Sequence, residues 1–165
     1  MAQATKALKP YSERTDLEKI QSQWNKLSGL HSREEWSAAV IRAATAAEIA
    51  ANLAIRQEFN QRSQFQPEFV NSLLVLSNGL RGKVDRLLTP LFEHDAAKRA
   101  ALINLKRKSD QINAKRNAVA HQGEFCNPDE AQEVIARAKE FIEGLINFYN
   151  PGFVLVDQKR SRTSN

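Results

Sequence analysis

Cysteine occurs once in this chain of 165 residues, as Cys126, methionine once, and histidine three times. A lone thiol excludes a disulfide framework and a thiolate metal cluster, and it points to a reducing cytoplasm. Glycine and proline are sparse, at six and five residues, and no Gly-rich phosphate loop, zinc-ligand spacing or serine-nucleophile motif is present. Neither a metal nor another cofactor is therefore expected. Aromatic residues make up only 7%, and with abundant Ala, Leu and Ile this suits packed helices better than sheet. The first residues lack the hydrophobic region of a signal peptide. The most apolar run, Ala38 to Ile55, is interrupted by Arg42 and Glu48, so it reads as a buried helix and not a membrane span. Acidic residues are outnumbered: the formal charge is +5, which is compatible with a polyanionic partner.

The length fits one domain with a single core. Composition and periodicity predict an all-α fold in a single domain over residues 13–152. Residues 1–12 read as a flexible N-terminus and 153–165 as a basic C-terminal tail containing Lys159-Arg160-Ser161-Arg162. Leu17, Ile20, Trp24 and Leu27 recur at helical steps, with Gly29 ending that helix. Ser32-Arg33-Glu34-Glu35 reads as a capping box, Ser32 as N-cap and Glu35 reaching back, opening a long helix to about Arg62. Pro67 starts a shorter helix that Asn78-Gly79 breaks, and Val84, Leu87, Leu88 and Leu91 predict another around Pro90. A helix from Ala97 to Val119 follows, and Asn127-Pro128-Asp129-Glu130 opens a last one that Pro151-Gly152 stops.

The segment Ala114 to His121 carries the chemistry. Leu102, Leu105, Ile112 and Val119 form the apolar stripe of its helix. On the same wheel Arg116 falls inside that stripe, at roughly 320° from Leu102, with Ser109 beside it. Asn113, Asn117 and His121 form a polar row on the flank. Arg116 and His121 lie about 140° apart on a regular helix, so they converge only if the helix ends near His121, as Gln122-Gly123 suggests, or if a second chain completes the site. A guanidinium on a core-facing stripe needs a partner. Glu48 sits at about 340° on the face that carries Ile41, Ala44, Ala51, Ile55 and Phe59 of the second helix. The pattern predicts that the two helices pack and that Glu48 meets Arg116; the alternative is two unrelated snorkelling side chains.

Arg116-Asn117-Ala118-Val119-Ala120-His121, closing a long helix in an all-helical domain of this size, resembles the HEPN superfamily. Its signature is Arg, four to six residues, then His. Gly79-Leu80-Arg81-Gly82-Lys83-Val84, then Leu87-Leu88, ahead of the motif helix is similar to the arrangement in many HEPN domains, and the likeness covers roughly Ser32 to Tyr149. It implies a compact HEPN-like bundle of four to five main helices, usually dimeric, and for many members metal-independent endoribonuclease activity in toxin, phage-defence or RNA-processing systems. The family's arginine corresponds to Arg116, the polar residue after it to Asn117, and the histidine to His121. Glu48 occupies a region of the second helix where members often carry a polar residue. One departure is Gly123, where some toxin members carry a tyrosine that a partner nucleotidyltransferase modifies. Other members bind or assemble without catalysis, so the resemblance leaves open a nucleotide- or protein-binding regulatory module.

Cleaving RNA through its own 2'-hydroxyl needs a base near neutral pKa and a cation for the charge developing at phosphorus. Histidine suits the first role and arginine the second. Asn117, one turn before His121, is placed to fix the imidazole tautomer. One chain supplies one such histidine, and two copies facing across a twofold axis would supply base and acid. The expected partners are thus RNA and a second copy, with an antitoxin or regulatory protein as a further candidate. The plainer reading has His121 capping its helix C-terminus and Arg116 in a structural ion pair. Lys106-Arg107-Lys108 with Lys115 either grip phosphates or form a solvated face. Trp24 and Trp36 read as core or dimer contacts, Cys126 as a passive thiol, and Glu93-His94-Asp95 as solvent-exposed, since adjacent residues rarely enclose one ion.

Overall fold

Thr15 opens the first helix, α1 (Asp16–Ser32): its hydroxyl accepts from the Glu18 N–H at 3.2 Å, and the Glu18 carboxylate accepts from the Thr15 N–H at 2.7 Å. The structure, a computed structural model, describes residues 9–157, and a single 3₁₀ turn (Tyr11–Glu13) precedes α1. Ile20, Trp24 and Leu27 are buried on the face the periodicity marks. Gly29 does not end the helix. The break comes where Glu34 takes a left-handed φ of 62°, so Ser32 lies inside α1 and the next helix starts beyond it. Glu35 is the N-cap of the next helix without a side-chain cap bond, and its carboxylate accepts from Arg33 Nε at 2.7 Å. The capping box expected at Ser32 is therefore absent.

The second helix, α2 (Trp36–Arg62), is the axis of the fold. Its alanines let neighbours approach closely, and residues on several sides of it are fully buried against α1 and the helices described next. By length and composition α2 could cross a membrane, yet 61% of its most apolar window is buried inside the fold, as a core helix requires. α3 (Pro67–Leu76) begins with Pro67 in its first turn and touches mainly α2. After Gly79, at φ 71°, come α4 (Gly79–Lys83), a π-helical turn (Val84–Leu88) and α5 (Thr89–Phe92) in continuous succession. The short helix expected around Pro90 is thus a longer helical segment with a widened turn. Pro90 has no N–H to give the Arg86 carbonyl four residues back, which disfavours regular α geometry there.

α6 (Ala96–His121) starts at Asp95, whose carboxylate accepts from the Lys98 N–H at 3.0 Å. α7 (Pro128–Ile146) starts at Asn127 with a reciprocal Glu130 box, and it ends before Pro151 because the chain turns at Asn147, whose side-chain oxygen takes the Gly152 N–H at 2.7 Å. α1, α2, α3, α6 and α7 have 17, 27, 10, 26 and 19 residues, and with the continuous helical segment 79–92 they make six helices packed together, with no strand among the described residues.

Residues 153–157 are not a free tail. Leu155 is buried, its N–H bonds Glu143 Oε1 at 2.9 Å, and Gln21 exchanges two hydrogen bonds with the Val156 backbone. Trp24 Nε1 donates to Asp157 Oδ1 at 2.8 Å, and Lys139 pairs with Asp157 Oδ2. Those bonds, Lys139 first and Trp24 second, hold the Asp157 carboxyl below the usual carboxylate range. The basic run Lys159 to Arg162 and residues 1–8 lie outside the described residues.

Candidate functional site

On α6, Leu102, Leu105, Ser109 and Ile112 are buried as the stripe requires. One turn beyond Ile112 the stripe leaves the core, and Arg116 stands half-buried at the edge of a cleft between α2, α4 and α6. His121 is the last residue of α6 and is exposed. The helix ends there because Gly123, at φ 68°, turns the chain so that the Glu124 N–H returns to the Ala118 carbonyl at 3.1 Å. The following loop is anchored twice: Cys126 N–H bonds Ser37 Oγ at 3.1 Å, and Lys115 pairs with Glu124 and with Glu130 Oε2 at 3.0 Å. These carboxylates raise the Lys115 ammonium above its ordinary pKa, Glu124 most, and Lys115 in turn holds Glu130 low.

Arg116 and His121 meet within one chain. Arg116 Nη1 lies 3.1 Å from His121 Nε2 and also donates to Asn117 Oδ1 at 3.1 Å. The long guanidinium covers the angular gap between positions five apart on a helix. A guanidinium has no acceptor, so a hydrogen bond across this contact requires the tautomer in which Nε2 accepts. Asn117 therefore reaches the imidazole only through Arg116, which is a correction to the direct contact expected of it. Asn113, Asn117 and Arg116 line an open cleft of about 890 Å³ together with Asn78, Arg81 and Arg86.

Glu48 lines the same cleft and does not pair with Arg116. Its Oε1 binds Lys83 Nζ at 2.6 Å, and Lys83 is 5% exposed. α4 packs against both α2 and α6 at this level, so its lysine reaches Glu48 first. Two charged residues on facing stripes of α2 and α6 do meet, one level away. Glu58, fully buried, binds Lys98 Nζ, has Arg62 Nη2 at 2.9 Å, and accepts from the Tyr149 hydroxyl at 2.6 Å. Burial first, and the Glu58 carboxylate second, push the Tyr149 hydroxyl far above its ordinary pKa. Sequence reasoning missed this cluster, though the signal was available: Glu58 follows Ala51 and Ile55 on the α2 face, and Lys98 precedes Leu102 by one turn.

The basic run leading into the motif is mostly consumed internally. Lys106 pairs with Asp85 at 2.8 Å, Lys108 with Glu140 at 2.5 Å, and Lys115 as above; Arg107 alone has no carboxylate partner. Trp24 is buried, and Trp36 is half-buried with His31 edge-on at 4.7 Å. Burial raises the Cys126 thiol pKa. Glu93 and His94 are exposed, Asp95 is a helix cap, and among the described residues no cluster of His, Cys, Asp or Glu is arranged to hold a metal.

No protein-family model matches the chain, and neither the curated proteins nor the solved structures compared with it give a match. Function is therefore argued from the site alone.

Proposed function

We propose that this chain is a HEPN-like, metal-independent endoribonuclease that cleaves RNA by 2'-hydroxyl attack, in a toxin, defence or RNA-processing role in a reducing cytoplasm. The observation that carries this reading is the contact between Arg116 Nη1, whose side chain lines an open, amide-lined cleft, and Nε2 of the exposed His121, which lies outside that lining. In the free protein the guanidinium occupies the lone pair that a base would use. A phosphate oxygen is the stronger acceptor, because it brings a negative charge and a second oxygen matched to the planar guanidinium fork, where Nε2 offers one lone pair. A phosphodiester entering the cleft draws Arg116 onto its non-bridging oxygens and releases Nε2. The imidazole then takes the 2'-hydroxyl proton as the 2'-oxygen bonds to phosphorus, while Arg116 meets the charge on the phosphorane. Cleavage of the P–O5' bond needs a proton for the departing oxygen, and the imidazolium of a second copy supplies it. The products are a 2',3'-cyclic phosphate and a 5'-hydroxyl.

The apolar surface supports a second copy beside the cleft. Phe69, Val75 and Leu76 of α3 and the preceding Phe65 are exposed, and Leu76 is also a wall of the cleft. Glu48, bound to Lys83, shapes the cleft and is not given a proton-transfer role. The same apolar face favours a second reading, a non-catalytic module that binds a protein partner or nucleotide. Purified protein incubated with structured RNA in a chelator separates the two. Cyclic phosphate ends that fall at least about 100-fold with His121→Ala support the nuclease. Inertness of the folded protein toward diverse RNAs refutes it and leaves the module.

A further inference from the structure

Three cationic side chains line the cleft, Arg81, Arg86 and Arg116, with Lys83 buried behind Glu48, and they are not equivalent. Lys83 is bound to Glu48 at 2.6 Å. Arg81 Nε lies 3.4 Å from Asp85 Oδ2 and 3.5 Å from Asp110 Oδ1. Arg116 contacts Asn117 and His121 and has no carboxylate partner among the described residues. Arg86, which also lines the cleft, has no hydrogen-bond or ion-pair partner among the described residues and is exposed. Two guanidinium groups without a counter-charge therefore face one cavity of about 890 Å³ from different elements.

Arg86 is also displayed by an unusual backbone. It sits inside the π-helical turn Val84–Leu88, and Thr89 Oγ1 donates to the Val84 carbonyl at 2.9 Å across that turn. Such turns are rare and occur frequently where a side chain serves a ligand. The neighbouring Asp85 is drawn off by Lys106 and Arg81, and the Lys106 hydrogen bond above all holds its carboxyl low, so it stays charged and directed away from Arg86.

We infer that Arg86 binds a second phosphate of the same RNA strand, next to the phosphodiester held by Arg116, so that the substrate is a polynucleotide with at least two phosphates and not a mononucleotide. The inference rests on the reading of Arg116 and His121 as an RNA-cleaving pair. A guanidinium fits phosphate as a planar fork, and each such contact releases counterions, which makes it countable by salt.

The test measures binding of a fluorescent 2'-deoxy hexanucleotide, which cannot be cleaved, to the full chain across a salt series, together with steady-state cleavage of the matching RNA. Arg86→Gln should flatten the slope of log affinity against log salt by about 0.7. It should raise KM for the hexanucleotide several-fold, with a smaller effect on a dinucleoside monophosphate, which carries a single phosphate. Arg86→Lys, which keeps the charge, should restore most of the slope. Arg86 is exposed, and circular dichroism of the variants confirms that they fold. An unchanged slope and KM in Arg86→Gln, with the wild type binding and cleaving, overturns the Arg86 assignment and leaves the nuclease standing. A loss confined to kcat also overturns it, since it would put Arg86 at the reacting phosphate. A wild type that neither binds nor cleaves removes the nuclease reading and this inference together.

Discussion

Replacing Glu48 by alanine strands the Lys83 ammonium, which is 5% exposed and has Glu48 as its ion-pair partner at 2.6 Å. Breaking a fully buried pair costs about 3–5 kcal/mol, because the remaining charge keeps its desolvation penalty. Here Glu48 is 37% exposed and the pair borders an open cleft, so water reaches the lysine after truncation. The expected loss is about 2 kcal/mol, below the buried range and above that of a surface pair. For a chain of this size that corresponds to a fall in Tm of about 4–8 °C. Lys83→Met should cost less, since the carboxylate it leaves is already partly hydrated and the methionine still packs. The double variant Glu48→Ala/Lys83→Met should match Lys83→Met alone, giving a large coupling in a double-mutant cycle read by urea denaturation. Strictly additive losses, or a lysine substitution costlier than the glutamate one, would refute the reasoning.

Ionisation of Tyr149 should be visible in alkali. Its hydroxyl pKa is raised in the fold, so its contribution to stability is complete below the ordinary tyrosine pKa near 10 and declines above it, as the unfolded chain ionises and the folded one does not. In Tyr11→Phe, which leaves Tyr149 as the one tyrosine, absorbance at high pH should rise only as the helices unfold. Cys126, buried with a raised thiol pKa, should resist iodoacetamide at neutral pH in the folded protein and react on addition of denaturant. Gly123→Ala meets no atom within 4 Å, so its cost is the left-handed φ alone, about 1 kcal/mol by thermal denaturation.

The sequence makes the helices legible because their signals are local and redundant. The stripe Leu102, Leu105 and Ile112 is buried as read, Pro67 starts α3, and α2 ends at Arg62. Boundaries fail where one residue overrules a pattern: Glu34 in a left-handed conformation moves a helix break past Gly29 and Ser32. The site is half legible. Arg116, Asn117 and His121 lie within one local segment, so spacing along it finds them together. Which acid meets which base depends on a third helix: α4 inserts Lys83 beside Glu48, while Glu58 and Lys98 pair one level away. Wheel positions on two helices cannot reveal an intruder from a third.

The central claim is that Arg116 exchanges an imidazole for a phosphate. The most direct measurement is ¹⁵N NMR of the His121 ring in the full chain, free and saturated with the 2'-deoxy hexanucleotide, with His121→Gln for assignment. The account expects an acceptor Nε2 and a protonated Nδ1 in the free protein, with the Nε2 signal moving on saturation and failing to move in Arg116→Gln. A ring protonated on Nε2 in the free protein, or an Nε2 signal indifferent to bound oligonucleotide, would contradict it.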